Sequence, residues 1–223
     1  MYVGEATRPR AFFASALGTL FLAACGNEVT PFPEGLEPLE TNHAMFPAPS
    51  GDDAHPEGLS FVHGIGHDIA WAHTKAYLHA PPAVVWAAFR DPLVVVDRRK
   101  VSEWSVRQDV EAGFDESFLV HNIVHAFLTV EFEVTWRQSS IPAGEPDPQT
   151  VAIRFQKTWG TVFIDILRGS IVLRQGDAEG ITEIELIEQI QAAQGGTDNI
   201  ESYLTDLYQS VRARVHDQPL PQY

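Results

Sequence analysis

The most regular alternation of apolar and polar residues in the chain lies in residues 127–137. Leu128, Val130, Phe132, Val134 and Trp136 fall on one side. Thr129, Glu131, Glu133, Thr135 and Arg137 fall on the other. Period-two alternation of this kind predicts a strand with one dry face and one wet face. Looser alternation predicts six further strands, over Ile69–His79, Val101–Val110, Ser117–Ala126, Thr150–Thr158, Val162–Arg174 and Ile181–Gln191. Gly113-Phe114-Asp115-Glu116 reads as one turn, Gly176-Asp177 with Gly180 as the last hairpin, and Pro142 to Pro148 as a loop.

Two stretches follow the helical period instead. Ala80-Pro81-Pro82 opens a helix, because proline suits a first turn, and Val84, Val85, Ala88 and Phe89 with Trp86 give it an apolar side. Asp91-Pro92 ends it or starts a second short helix. At the C-terminus Ile200, Tyr203, Leu204, Leu207, Tyr208, Val211 and Val215 make one broad apolar face. Asp198-Asn199-Ile200-Glu201 has the form of a capping box, and Pro219 and Pro221 close the helix.

The order is therefore strand, two short helices, six strands and a long amphipathic helix, an α+β chain. A single antiparallel sheet with one apolar face needs a cover, and only the terminal helix is long enough to supply it. A strongly bent sheet wrapped round one helix leaves a gap between them. The candidates to line it are Leu128, Val130, Phe132, Val134 and Trp136, with Ile184, Leu186 and Glu188 from the last strand and Leu204 and Leu207 from the helix.

Residues 69–216 resemble the helix-grip superfamily that includes START domains, the birch-pollen allergen (Bet v 1-like) fold and polyketide cyclases. The resemblance rests on the element order and on local phrases. Ala80-Pro81-Pro82-Ala83-Val84-Val85-Trp86-Ala87-Ala88-Phe89-Arg90-Asp91-Pro92 looks like the family's opening. Gly169-Ser170-Ile171-Val172-Leu173 and Gly180-Ile181-Thr182-Glu183-Ile184 look like its penultimate hairpin. The resemblance implies a curved seven-stranded antiparallel sheet gripping the C-terminal helix. It implies little about activity, since the superfamily hosts carriers, receptors, cyclases and structural modules.

Composition changes this picture at the N-terminus. The chain has one cysteine, Cys25, so it can form no internal disulfide and no thiolate metal cluster. Arg8 and Arg10 precede fourteen uncharged residues, Ala11 to Ala24. Such a run is short for a membrane span, which takes about 20 residues, and suits the apolar region of a signal peptide. It ends in Leu22-Ala23-Ala24-Cys25-Gly26, which resembles the lipobox of bacterial lipoproteins. That resemblance implies cleavage before Cys25 and acylation of the cysteine, a membrane anchor and a cell-envelope location. Gly26, where some inner-membrane lipoproteins carry aspartate, favours the outer membrane. The alternative is an ordinary secretory leader with an incidental cysteine.

Residues 26–60 carry six prolines and seven acidic residues without a lysine or arginine, and read as an extended tether. The expected organisation is a signal peptide over 1–24, a tether over 25–60, a folded domain over 61–218 and a tail over 219–223. The 15 basic and 30 acidic residues, a net charge of −15, argue against nucleic-acid binding by bulk electrostatics.

Chemistry is sparse. His63 and His67, with His55 and His73 nearby, sit in a glycine-rich lead-in where a zinc site is conceivable, though solvated loop histidines are the better reading. His121 and His125 fall in a strand, about 13 Å apart, and cannot share one metal there. Glu188 shares a face with Ile184, Leu186 and Ile190, unless a bulge or strand end carries it to solvent. Asp165 shares a face with Phe163 and Leu167, and Arg168 lies opposite. Nucleophile elbow, dinucleotide fingerprint, phosphate loop and zinc-protease motifs are all missing. No catalytic residue, metal or cofactor is assigned. The leading expectation is a lipid-anchored protein that binds a hydrophobic small molecule in the gap, with no protein partner identifiable. The competing readings are an envelope interaction protein with a collapsed gap, and an enzyme of the cyclase or hydratase kind using Glu188, Asp165 and His121.

Overall fold

The computed structural model describes residues 28–126, 128–193 and 196–223. The leader and Cys25 lie outside the described residues. In chain order the elements are β1 (Glu28–Val29), β2 (Leu59–Gly66), β3 (Ile69–Leu78), α1 (Pro82–Phe89), α2 (Pro92–Val95), β4 (Glu103–Gln108), β5 (Glu116–His125), β6 (Thr129–Ser140), β7 (Thr150–Gly160), β8 (Ile164–Gln175), β9 (Thr182–Ala192) and α3 (Thr197–Val215). The main strands form one open antiparallel sheet in the order β2-β3-β9-β8-β7-β6-β5-β4, and β1 pairs with β7.

Eight strands in that path replace the seven expected. The addition is β2, where Gly64 and Gly66 suggested a loop. It pairs with β3 along its length, and the Trp71 ring lies over Gly64, where an added Cβ would come within 2.8 Å of the indole. A glycine facing an aromatic across a strand pair is compatible with a strand. The expected capping box is also absent. Gly196 is the N-cap of α3, no side chain caps it, and Asp198 lies inside the first turn, where its charge suits the helix dipole.

The inner face of the sheet is the dry one. Ala72, Ile184, Ile171, Ile153, Trp136 and Phe118 are buried in one core with the apolar face of α3. Helix α1 is tied to this core through Trp86, whose Nε1–H donates to Gln138 Oε1 at 2.7 Å, while Gln138 Nε2 donates to the Phe89 carbonyl at 3.2 Å. The helix α3 crosses only one part of the sheet, over β2, β3 and β9, and meets α1 and α2. Its Tyr208 hydroxyl donates to the Tyr77 carbonyl on β3 at 3.0 Å.

The outer face is covered by the segment expected as a free tether. Residues 30–46 run across the sheet as a strap. Gln156 donates to the Pro31 carbonyl, Arg137 to Pro33 and Arg154 to Glu37, each at 2.6 Å. Farther along, the Leu39 N–H donates to Ser170 Oγ at 3.0 Å. Asn42 Nδ2 donates to the carbonyls of Thr74 and Leu186. The His43 N–H donates to His73 Nδ1, so the buried His73 ring carries its proton on Nε2 and donates to Glu40 at 2.9 Å. The physical reason lies in both partners. The outer face carries half-satisfied donors, and a proline-rich backbone offers carbonyls while asking for few acceptors.

Glu57 fastens the end of this segment to α3. It accepts from the His79 N–H at 2.9 Å, Arg212 Nε at 2.7 Å and His216 Nε2 at 2.7 Å. Burial opposes the Glu57 carboxylate, yet these hydrogen bonds outweigh it and hold its pKa below the ordinary 4.5.

Two outcomes test this packing. Glu57→Gln is expected to cost about 1–2 kcal/mol in urea unfolding near neutral pH. Because a depressed pKa contributes stability only above the unfolded value, that cost should shrink as pH falls through the carboxylate range. Equal stability at neutral pH would show the clamp to be idle. In β8, a Cβ on Gly169 would fall within the Phe155 ring and 2.8 Å from the Ile187 carbonyl oxygen. Gly169→Ala is therefore expected to destabilise by about 1–3 kcal/mol, and an unchanged melting temperature would mean that the ring yields freely.

Candidate functional site

The helix α3 covers the β2, β3 and β9 part of the inner face and α1 meets β7 and β8, which leaves part of that face uncovered. A cavity of about 690 Å³ lies there, between β5 to β9 and the segment running from α2 to the first turns of α3. Its volume falls in the range of about 300–1,000 Å³ typical of small-molecule pockets. Val120, Val124, Val130, Phe132, Val134 and Trp136 line the β5 and β6 side, and Phe155, Leu167 and Ile190 line the floor. Stacking sets the floor: the Trp136 ring lies 4.4 Å from Phe155 and 5.8 Å from Phe118, centroid to centroid.

At one end the cavity is bordered by the turns after β5 and β7 and by the chain leaving β9. Ala126, Leu128, Phe163, Ala192 and Ala193 lie there. Leu128 is 52% exposed and Val162, in the β7–β8 turn, 45%. In this region β8 leaves β7. Their pairing stops at Gln156 and Arg168, whereas β8 stays with β9 as far as Ile164 and Ala192. β1 takes up the free edge of β7, with Glu28 opposite Gly160 and Val29 opposite Trp159. The buried Lys157 ammonium bridges the parting by donating to the carbonyls of Thr161, at 3.3 Å, and Ile164.

Polar groups are few, and Asp97, Lys100 and Tyr203 lie near Glu188. Glu188 is 3% exposed. On β9 it is flanked across the sheet by Ala72 and Gly169, neither of which offers a hydrogen bond from its side chain. Its Oε2 has no hydrogen-bond partner. Burial raises the Glu188 pKa well above 4.5, Asp97 adds to the rise, and Lys100 opposes it. Asn122 faces the same cavity from β5, with its Nδ2 turned to the Val120 carbonyl at 3.0 Å. Tyr203 donates to the Val95 carbonyl at 2.9 Å. Desolvation, with Glu188 and Asp97 nearby, pushes its phenol well up. Lys100 Nζ donates to Asn199 Oδ1 at 2.6 Å.

Of the residues expected to line the gap, Leu128, Val130, Phe132, Val134, Trp136 and Glu188 border the cavity. Ile184, Leu186, Leu204 and Leu207 are buried in the core and do not border it. Alternation assigns a face but not which part of that face the helix will cover. Asp97, Lys100 and Asn199 come from non-strand segments and had no signal in the pattern. Asn122 had one, since it alternates with Phe118, Val120 and Val124.

The other candidates lie elsewhere. Asp165 sits in a bulge between Ile164 and Ile166 and is exposed, because the extra residue breaks the alternation that put it beside Leu167. Arg168 faces outward and donates to Gln189 at 2.8 Å. His121 meets Glu131 and Glu133, and His125 meets Glu103. The four N-terminal histidines are dispersed. His55 pairs with Asp177, His63 with Glu201 and His73 with Glu40, while His67 occupies a left-handed turn.

No family model matches the chain, and no curated protein matches its sequence. Solved structures with a similar fold include the human StarD13 (DLC2) lipid transfer and protein localization domain, at 13% identity and TM-score 0.49 over 81% of this chain and 91% of that one. Human STARD10 matches at 10% identity and TM-score 0.49 over 75% and 81%. The Zhui aromatase/cyclase from Streptomyces sp. R1128 matches at 12% identity and TM-score 0.42 over 66% and 91%.

A buried carboxyl with a raised pKa makes stability depend on pH in a definite sense. The unfolded chain releases this proton near 4.5 and the folded chain holds it longer. The wild type should therefore lose stability as pH rises above 4.5, by up to about 1.4 kcal/mol per pH unit until the folded group ionises. Glu188→Gln lacks this penalty. Its advantage over the wild type in urea unfolding is expected to grow as pH rises above 4.5, and a pH-independent difference would place the carboxyl in contact with solvent.

Proposed function

We propose that the protein binds a hydrophobic small molecule in the cavity between sheet and helix, and does so at the end of a lipid anchor on Cys25. The observation that carries the first part is the cavity itself. It has the volume of a ligand site, its lining is mostly apolar, and no side chain of the described residues fills it. A collapsed gap, as an interaction module would have, is not what the aromatic floor leaves. Of the three side chains an enzyme reading looked to, only Glu188 borders the cavity.

The second part rests on the resemblance of Leu22-Ala23-Ala24-Cys25-Gly26 to a lipobox. Cys25 lies three positions before Glu28, and a chain spans at most about 3.6 Å per residue. The link to an acylated Cys25 therefore reaches at most about 11 Å from Glu28, which pairs with β7 at the end of the sheet where Leu128 and Phe163 border the cavity. With residues 30–46 bound to the sheet, the proline-rich segment does not hold the domain off the bilayer. It brings the cavity mouth to the membrane, where a hydrophobic ligand is most concentrated. Two or three acyl chains on the cysteine give the lasting attachment that one chain does not.

The test uses the full chain expressed in a bacterial host and extracted gently. Native mass spectrometry is expected to show a bound mass of roughly a few hundred daltons that leaves on denaturation. Val130→Trp, which places an indole in the cavity, is expected to lose it while keeping the fold by circular dichroism. The denatured mass should carry the acyl modification and lose it in Cys25→Ser, which is expected to leave the membrane fraction. A clean unliganded protein after incubation with a bacterial lipid extract would end the binding proposal. An unmodified Cys25 would end the anchor proposal independently.

A further inference from the structure

The unpartnered carboxyl deep in the cavity carries a second inference, which rests on the binding function above. Glu188 is buried, aimed at the cavity, and without a hydrogen-bond partner at Oε2. Across the sheet it is flanked by alanine and glycine, so the fold supplies no polar side chain from β3 or β8 to satisfy it. Leaving such a group unpaired is costly. It also lies well inside. Glu188 is four residues along β9 from Ala192 at the mouth, about 13 Å at strand rise.

We infer that Glu188 is the recognition group for the polar end of the ligand, and that this end is an uncharged hydrogen-bond acceptor, an acyl carbonyl, inserted head first. As a neutral acid, Glu188 donates its carboxyl O–H to the carbonyl oxygen. The hydrocarbon then runs along Phe132, Val130 and Leu128 toward the mouth.

The surrounding groups favour an acceptor over a cation. Ionised Glu188 is opposed by burial and by the Asp97 carboxylate nearby, and Lys100 already supplies a positive charge to the same end of the cavity. A ligand ammonium would have to shed its water among apolar walls to reach it, a cost that a buried ion pair often fails to recover. Tyr203 does not compete for the role of donor, because its hydroxyl is committed to the Val95 carbonyl, and Asn122 Nδ2 spends one of its two hydrogens on the Val120 carbonyl.

The test compares three probes with a sixteen-carbon chain on the full protein: methyl palmitate, hexadecane and hexadecylamine. Affinity is read by displacement of a fluorescent apolar dye, and the ester carbonyl is followed by its infrared stretch. Methyl palmitate is expected to bind about tenfold more tightly than hexadecane, with its carbonyl stretch lowered. Glu188→Leu should erase both the preference and the shift, and Glu188→Gln, which keeps a donor, should retain most of each. A thermal melt confirms that each variant is folded. Equal binding of ester and alkane by the wild type would overturn the role of Glu188 while leaving the binding function standing. Tightest binding by hexadecylamine, lost in Glu188→Gln, would overturn it in favour of a cationic ligand. Binding of none of the probes, with an unliganded protein in native mass spectrometry, would remove the function on which it rests.

Discussion

One helix is narrower than the sheet it covers. An α-helix with its side chains is about 10–12 Å across, whereas eight strands spaced about 4.8 Å apart span more than 30 Å. The 19 residues of α3 therefore cannot shield the whole dry face. They shield the β2, β3 and β9 part, and α1 and α2 add a little more. Helix α1 meets β7 and β8, and the remainder, chiefly β5, β6 and the cavity-lining parts of β7 to β9, stays apolar and uncovered. Everything that points to function follows from that shortfall, including the cavity, its aromatic floor and the isolation of Glu188.

The position of the helix is fixed by few contacts, each satisfying a group that would otherwise be costly to bury. Tyr203 and Tyr208 hand their hydroxyl protons to backbone carbonyls of α2 and β3. Arg212 and His216 meet Glu57 at the other end. The helix is thus held along one side of the sheet and does not slide toward the uncovered strands. On the opposite face the strap answers the donors of β6 and β7, so both faces of the sheet are in use. One is packed against a helix and a cavity, the other against an irregular segment made mostly of carbonyls.

Much of this was legible in the chain. Period-two alternation placed the inner face of β6 correctly, helical spacing gave the buried side of α3, and Pro81-Pro82 marked the start of α1. Alternation also put Glu188 among Ile184, Leu186 and Ile190, and the structure keeps it there. What escaped was non-local. β2 looks like a loop until Trp71 is laid over Gly64. Residues 30–46 have the composition of a free linker, and distant partners, among them the donors Arg137, Arg154 and Gln156 more than a hundred positions away, make them a strap. Bulges misled in a different way. One extra residue between Ile164 and Ile166 turned Asp165 out of the register that a regular strand would have given it. The division of the inner face into core and cavity depends on where α3 lands, and periodicity carries no information about that.

The strap also sets the order in which the molecule is completed. Its contacts join residues 31, 33 and 37 to residues 156, 137 and 154, and Glu57 to residues 212 and 216. This early stretch of the chain is therefore among the last to find its partners, since its docking site exists only after the sheet has assembled and α3 has followed. Long-range contacts of this kind slow folding, because loop closure must precede the gain from contact. Until then the outer face keeps its arginines and glutamine in water, and the chain passes through a stage in which its sheet is built on one side only.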